Sequence, residues 1–148
     1  MSRIIIFDFN RTLYDPDSET LISGARELLK ECRASGYQLV MIAKEADDRL
    51  DLIRSLGLDD LFDNLYLVAK KNLLLFDLVV GEHVHIFEVG QSWVVGDRVQ
   101  SELWLGHQRG LKTIWVRKGI FANETPFGNT YPTHTITSLE EIYPLIGF

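Results

Sequence analysis

Along this chain, short, mainly apolar runs, unbroken at Ile4–Phe7, take turns with segments whose apolar residues recur every three or four positions. Ile4–Phe7, 37–42, 65–69, 93–95 and Lys112–Val116 are too short for helices and rich in β-branched or aromatic residues. Such runs predict strands buried on both faces, as in a parallel sheet. Between them, a helix is expected from Ser23 or Gly24 to about Ala34. Ala25, Leu28, Leu29 and Cys32 share its inner stripe, and Gly36 stops it. A second helix, 46–56, faces Leu50, Ile53 and Leu56 inward, and a third runs from a cap at Asn72 to about Val80. Residues 100–110 read as a fourth. Ser138-Leu139-Glu140-Glu141 is a capping-box pattern opening a last one. Residues 134–137 fit one more short strand. Segment 83–89 alternates and is expected as a short strand or hairpin arm, while 14–20 and 117–133 read as loops.

Strands alternating with helices across short loops imply right-handed crossovers, hence an α/β chain with a three-layer arrangement: a parallel sheet of five or slightly more strands, covered on both faces. All strand carboxyl ends then share one edge, where open α/β sheets place ligands. Asp8 and Asn10, Ala43 and Lys44, Lys70 and Lys71, and Asp97 and Arg98 fall on that edge. One strand-end acid could simply cap a turn; four such ends on one edge make a site.

At 148 residues the chain is expected to be a single domain, 1–148. A net charge of −6 argues against an extended nucleic-acid-binding surface, so any phosphate chemistry needs local cations. Cys32 is the single cysteine, which excludes an internal disulfide and suits a reducing compartment. The N-terminus carries no leader pattern and no apolar run is long enough to span a bilayer; a soluble, cytoplasmic protein without a membrane partner is expected. The apolar run 73–80 nearly encircles its helix, interrupted only by Asp77; a buried core position explains part of that, and a homodimer contact would explain the remainder. Glu82, His83, His85 and Glu88 have a spacing that can hold Zn²⁺, but a polar edge strand explains them better because no further ligand is evident. Trp93, Trp104 and Trp115 read as core, His107 and His134 as surface.

Asp8-Phe9-Asn10-Arg11-Thr12, the strand ending at Ala43, the lysine pair at a helix start, and Gly96-Asp97 with Glu102 five residues on resemble, in order, the four motifs of the haloacid dehalogenase (HAD) superfamily. The resemblance covers nearly the whole chain. It implies a Rossmann-like core, and neither gap between motifs is long enough for the cap domain that many members insert. It further implies a Mg²⁺-dependent phosphatase acting on a small or macromolecular phosphorylated substrate. Asp8 would be the nucleophile, and Lys71 or Lys70 would pair with it. Asp8, Asp97, the Asn10 carbonyl and Glu102 would surround the metal, and Ala43, Lys44 and Arg98 would lie toward the phosphate. Three positions depart: Arg11 stands where glycine or asparagine is commoner, a mild change, and two others bear on the chemistry. Asn10 stands where the family's phosphatases carry the acid that protonates the leaving oxygen, and Ala43 replaces a hydroxyl residue. A slow phosphatase is therefore expected. The alternatives are a catalytically impaired protein that binds phosphate or a partner, and a dehalogenase-type hydrolase.

Overall fold

A computed structural model describes residues 3–84 and 86–147. Its elements in chain order are β1 (Ile4–Phe7), β2 (Tyr14–Asp15), β3 (Thr20–Leu21), α1 (Ala25–Ala34), β4 (Gln38–Lys44), α2 (Arg49–Ser55), β5 (Asn64–Val68), α3 (Leu73–His83), β6 (Trp93–Gly96), α4 (Glu102–Gln108), β7 (Lys112–Val116) and β8 (His134–Ile136). The main sheet has six strands in the order β5-β4-β1-β6-β7-β8, and every pairing in it is parallel.

β1 lies in the interior of the sheet, paired on both sides, with Ile6 in register with Val40 and with Val94. Strand alternation then divides its side chains between two cores. Ile5 and Phe7 join Leu39, Met41, Trp93 and Val95 under Leu28 and Leu29 of α1. Ile4 and Ile6 join Val40, Ile42 and Val94 under Phe76 and Val79 of α3 and Leu103 and Leu105 of α4. Both faces are covered, which is why the strand reads as continuous apolar sequence rather than as an alternation.

Gly106 shows how tightly the second face is packed. A Cβ at this position would meet the β-branched Val94 side chain inside the sheet, which has no room to move away. Gly106→Ala is therefore expected to cost about 1–3 kcal/mol, read as a lower melting temperature.

The fold departs from the sequence expectation in four places. Residues 14–21 are not a plain loop: β2 and β3 form an antiparallel hairpin, with Tyr14 opposite Leu21 and Asp15 opposite Thr20. Its tip is tied by the Asp15 carboxylate, which accepts from the Asp17 N–H at 2.9 Å and the Ser18 hydroxyl at 3.0 Å. The second helix begins at Arg49 instead of residue 46, because Asp48 takes a left-handed conformation (φ 59°) that breaks helical continuity before it. The described residues of segment 83–89 form no strand. α3 runs on to His83, and a 3₁₀ turn, Ile86–Gln91, leads into β6. Val80, Val84 and Val89 pack on the second core. His85, one of the residues considered for Zn²⁺, lies outside the described residues, and His83 ends α3 instead of standing on a strand. Finally, the last helix is one 3₁₀ turn, Leu139–Ile142, opened by the expected Ser138/Glu141 capping box.

Asn72 caps α3 by accepting from the Leu75 N–H at 2.9 Å. The helix buries Phe76 and Val79 and leaves Leu74 and Leu78 exposed. Cys32 is buried and unpaired. Among the described residues no helix is long and apolar enough to cross a membrane.

Candidate active site

β1 delivers Asp8 to the carboxyl edge. The Asp8 N–H continues the ladder to the Val95 carbonyl at 3.0 Å, so its backbone is fixed against β6. The chain then turns sharply. The Phe9 carbonyl accepts from the N–H groups of Leu13 (2.9 Å) and Tyr14 (3.1 Å), and the Arg11 N–H donates to the Tyr14 carbonyl at 2.7 Å. Phe9 is buried, while Asn10 and Arg11 stay half-exposed at the mouth of a cleft. That cleft, about 260 Å³, is lined by Asp8, Asn10, Arg11, Lys44, Arg49, Lys71, Asp97, Arg98 and Phe121.

Of the two lysines, Lys71 reaches the floor. Its ammonium donates to Asp8 Oδ1 at 2.7 Å and to Glu102 Oε1 at 2.8 Å. Lys70 is exposed and lines only an adjoining groove of about 440 Å³. Glu102 enters from α4 and is fully shielded. Its second oxygen accepts from the Arg98 N–H at 2.7 Å, which fixes the spacing between the Gly-Asp turn and the later acid. Gly96 is required for this approach, since a Cβ there would sit 2.5 Å from Glu102 Oε2. Asp97 is buried beside them, and its backbone carbonyl accepts from the Trp115 indole N–H at 3.0 Å. Trp115→Phe would leave that carbonyl buried without its donor, with an expected loss of about 1–3 kcal/mol visible as a lower melting temperature.

Asp8, Asp97 and Glu102 present carboxylate oxygens within 4.8 Å of one another. Burial, then the charge of Asp8, pushes the Asp97 carboxyl well above the ordinary carboxylate range. The same two causes raise Glu102. For Lys71 burial works toward deprotonation, but the charges of Glu102 and then Asp8 outweigh it and hold the ammonium protonated. Three carboxyl groups thus surround one ammonium, which bonds two of them, and among the described residues Asp97 Oδ2 is buried with no hydrogen-bond partner. A surplus of negative charge, an orphaned oxygen and an all-oxygen donor set fit a hard divalent cation.

The other residues on the edge divide. Lys44 lines the cleft, whereas Ala43 is fully buried in the first core, does not line it, and presents nothing to a phosphate through its side chain. Arg98 lines the cleft as well and is not a free turn residue. It pairs with Glu124 at 2.8 Å and stacks over Phe121 at 4.0 Å. Arg11 and Arg49 also face this space, although the sequence reading gave neither a site role.

Residues 68–142, just over half of the chain, match the model of the HAD-hydrolase-like family. The chain belongs to this family. The match carries β6 with Asp97, α4 with Glu102, and Lys71; β1 with Asp8 lies outside it. The glyceraldehyde 3-phosphate phosphatase of Pyrococcus furiosus is 24% identical over 135 residues, covering 84% of this chain and 54% of that protein. This HAD-like chain thus spans about half the length of its curated relative. In fold it is similar to a HAD phosphatase from Thermococcus onnurineus, with a TM-score of 0.77 at 15% identity and 98% of each chain covered. It is also similar to the HAD-hydrolase YfnB of Bacillus subtilis, solved bound to magnesium, with a TM-score of 0.71 at 21% identity over 87% of this chain and 57% of that one. These structural likenesses establish the Rossmann-like architecture. As a HAD-like hydrolase the chain is capless: only the hairpin and α1 separate β1 from β4, and only α2, a 3₁₀ turn and β5 separate β4 from Lys71.

Proposed function

We propose that this HAD-like hydrolase is a Mg²⁺-dependent phosphomonoesterase with Asp8 as nucleophile, slowed by Asn10. The observation that carries the reading is the shared floor, in which Asp8, Asp97 and Glu102 converge and Lys71 bridges two of them. Asp8 and Asp97, with the Asn10 backbone carbonyl, would hold the metal, and Glu102 would bind it through water or brace the surrounding shell. When bound, the cation offsets repulsion between the Asp8 carboxylate and an incoming phosphate.

In the first step an Asp8 oxygen bonds to phosphorus and the bond from phosphorus to the ester oxygen breaks. The departing oxygen takes its proton from water, because the Asn10 amide has none to give. In the second step a water oxygen attacks phosphorus, loses its proton to solvent, and releases inorganic phosphate and the Asp8 carboxylate. Lys71 stays protonated throughout and balances charge at Asp8. Substrates with good leaving groups, such as aryl or acyl phosphates, are favoured. The phosphatase function named for the P. furiosus relative supports phosphate-ester chemistry.

The test is p-nitrophenyl phosphate hydrolysis with and without Mg²⁺. Slow, metal-dependent release of nitrophenol is expected from the parent, and Asp8→Asn should return it to background. Asn10 also favours a second reading, a protein that binds phosphate without turning it over. No hydrolysis by the parent, with phosphate binding still measurable by calorimetry, would establish that reading instead.

A further inference from the structure

The rim of the Asp8 cleft carries more positive charge than one phosphate requires. Its lining includes Arg11, Lys44, Arg49, Lys71 and Arg98, on a chain whose net charge is −6. Two of these are committed: Lys71 to Asp8 and Glu102, and Arg98 to Glu124. Among the described residues the side chains of Arg11, Lys44 and Arg49 have no ion pair and no hydrogen bond. Glu45, Asp47 and Asp48, in the loop before α2, are exposed, and none lines the cleft. Asp15 and Asp17 border a neighbouring hollow with Arg11 without forming an ion pair with it.

Both arginines are placed by aromatic rings rather than by acids. The Arg49 guanidinium lies 5.3 Å from the centre of the buried Phe9 ring, and that of Arg11 lies 5.9 Å from Phe121. Stacking leaves the edge N–H donors of a guanidinium free for a planar or tetrahedral oxyanion. Arg11 moreover sits in left-handed backbone, φ 61°, where glycine or asparagine would be unstrained. A long cationic side chain at such a strained position points toward use.

Lys71 and one divalent cation would cancel the three floor carboxylates. A phosphate dianion then meets three unpaired cations, and one positive charge is left over. We propose that Arg11, Lys44 and Arg49 hold a second, non-reacting anionic group, so that the substrate is a small phosphate monoester bearing a carboxylate or a further phosphate. This rests on the phosphomonoesterase reading above. The ester phosphate faces Asp8 and Lys71, and the second anion meets the arginine forks at the mouth.

Three probes with a common aryl leaving group test the subsite: phenyl phosphate, 3-carboxyphenyl phosphate and 3-(phosphonomethyl)phenyl phosphate. At least one charged probe is expected to exceed phenyl phosphate in kcat/KM by roughly 10- to 100-fold. The carboxylate and phosphonate arms show which anion is preferred. Arg49→Met and Arg11→Asn should each shrink that ratio, the latter without disturbing the left-handed turn. In parallel, calorimetry on the Mg²⁺-loaded protein should show 3-carboxyphenylphosphonate, which cannot be hydrolysed, binding more tightly than phenylphosphonate, with the difference lost in Arg49→Met. Equal kcat/KM values, or a preference that survives both substitutions, would overturn the subsite while leaving the phosphomonoesterase reading intact. No hydrolysis of any probe, with the binding preference present, would overturn the latter and support the subsite.

Discussion

Asn10→Asp is expected to raise turnover of p-nitrophenyl phosphate by about 10²- to 10⁴-fold, the usual contribution of a positioned acid or base. The substitution exchanges an amide for a carboxyl group of the same shape. The backbone bridge between Asn10 and Tyr14 and the hydrogen bond from Arg11 to Tyr14 involve main-chain atoms, so the turn should survive. Only the ability to give and take a proton changes. The new carboxyl group would pass its proton to the leaving oxygen as that bond to phosphorus breaks, then accept one from the attacking water. Poor leaving groups need that proton most, so the gain should be larger for phenyl phosphate than for p-nitrophenyl phosphate. Steady-state kinetics on both esters decide it. Equal gains would mean that the new charge acts only by drawing the metal in, and no gain would mean that position 10 does not face the leaving oxygen.

The legible parts of the fold were those in which burial on two faces leaves a mark. β1 reads as an unbroken apolar run, and β4, β6 and β7 as mainly apolar ones, because each lies between covered faces, and Asp8, Lys44, Asp97 and Arg117 mark where they reach the carboxyl edge. The β2–β3 hairpin was not legible. Its strands have two residues each, and its polar tip is held by Asp15 side-chain contacts that leave no periodicity. Segment 83–89 misled because a few alternating residues can sit equally well on the end of a helix and a 3₁₀ turn.

The floor of the site was legible in residue type, and its details were not. Lys70 and Lys71 are equivalent as letters, and the capped start of α3 decides that only Lys71 turns toward Asp8. Glu102 carried a signal in its distance from Gly96-Asp97, which reflects the bond from the Arg98 N–H. Arg49 carried none. A cation at a strand end and a cation on a solvated helix look alike until the fold shows that, among the described residues, no acid pairs with them. One clue was available at Arg11, a bulky residue in a turn that favours glycine or asparagine.

Lys71→Met should expose how the floor balances its charge. The methionine fills much of the same space, but Asp8 and Glu102 lose the ammonium that holds both, inside a site where the Lys71 side chain is only 12% exposed. Removing one partner of a buried ion pair typically costs about 3–5 kcal/mol. In a domain of this size that is a drop of roughly 10 °C or more in the metal-free melting temperature. The sign of the pH dependence follows from Asp97 and Glu102, whose folded carboxyls are raised above their unfolded values. Such groups stabilise the fold while protonated, and the benefit fades as pH climbs from the ordinary carboxylate range, about 4, through the raised folded values. Metal-free protein should therefore lose stability from pH 5 to pH 8, and the variant should lose more than the parent because no ammonium remains to offset the ionised carboxylates. Mg²⁺ should reverse the trend, since a cation binding only the folded state adds stability by mass action and favours ionised ligands. Thermal scans at both pH values, with Mg²⁺ and with chelator, check each point. If the variant melts with the parent in chelator, or is more stable at pH 8 than at pH 5, the three carboxylates do not share a single buried charge balance, and the floor could not serve as the seat of a metal.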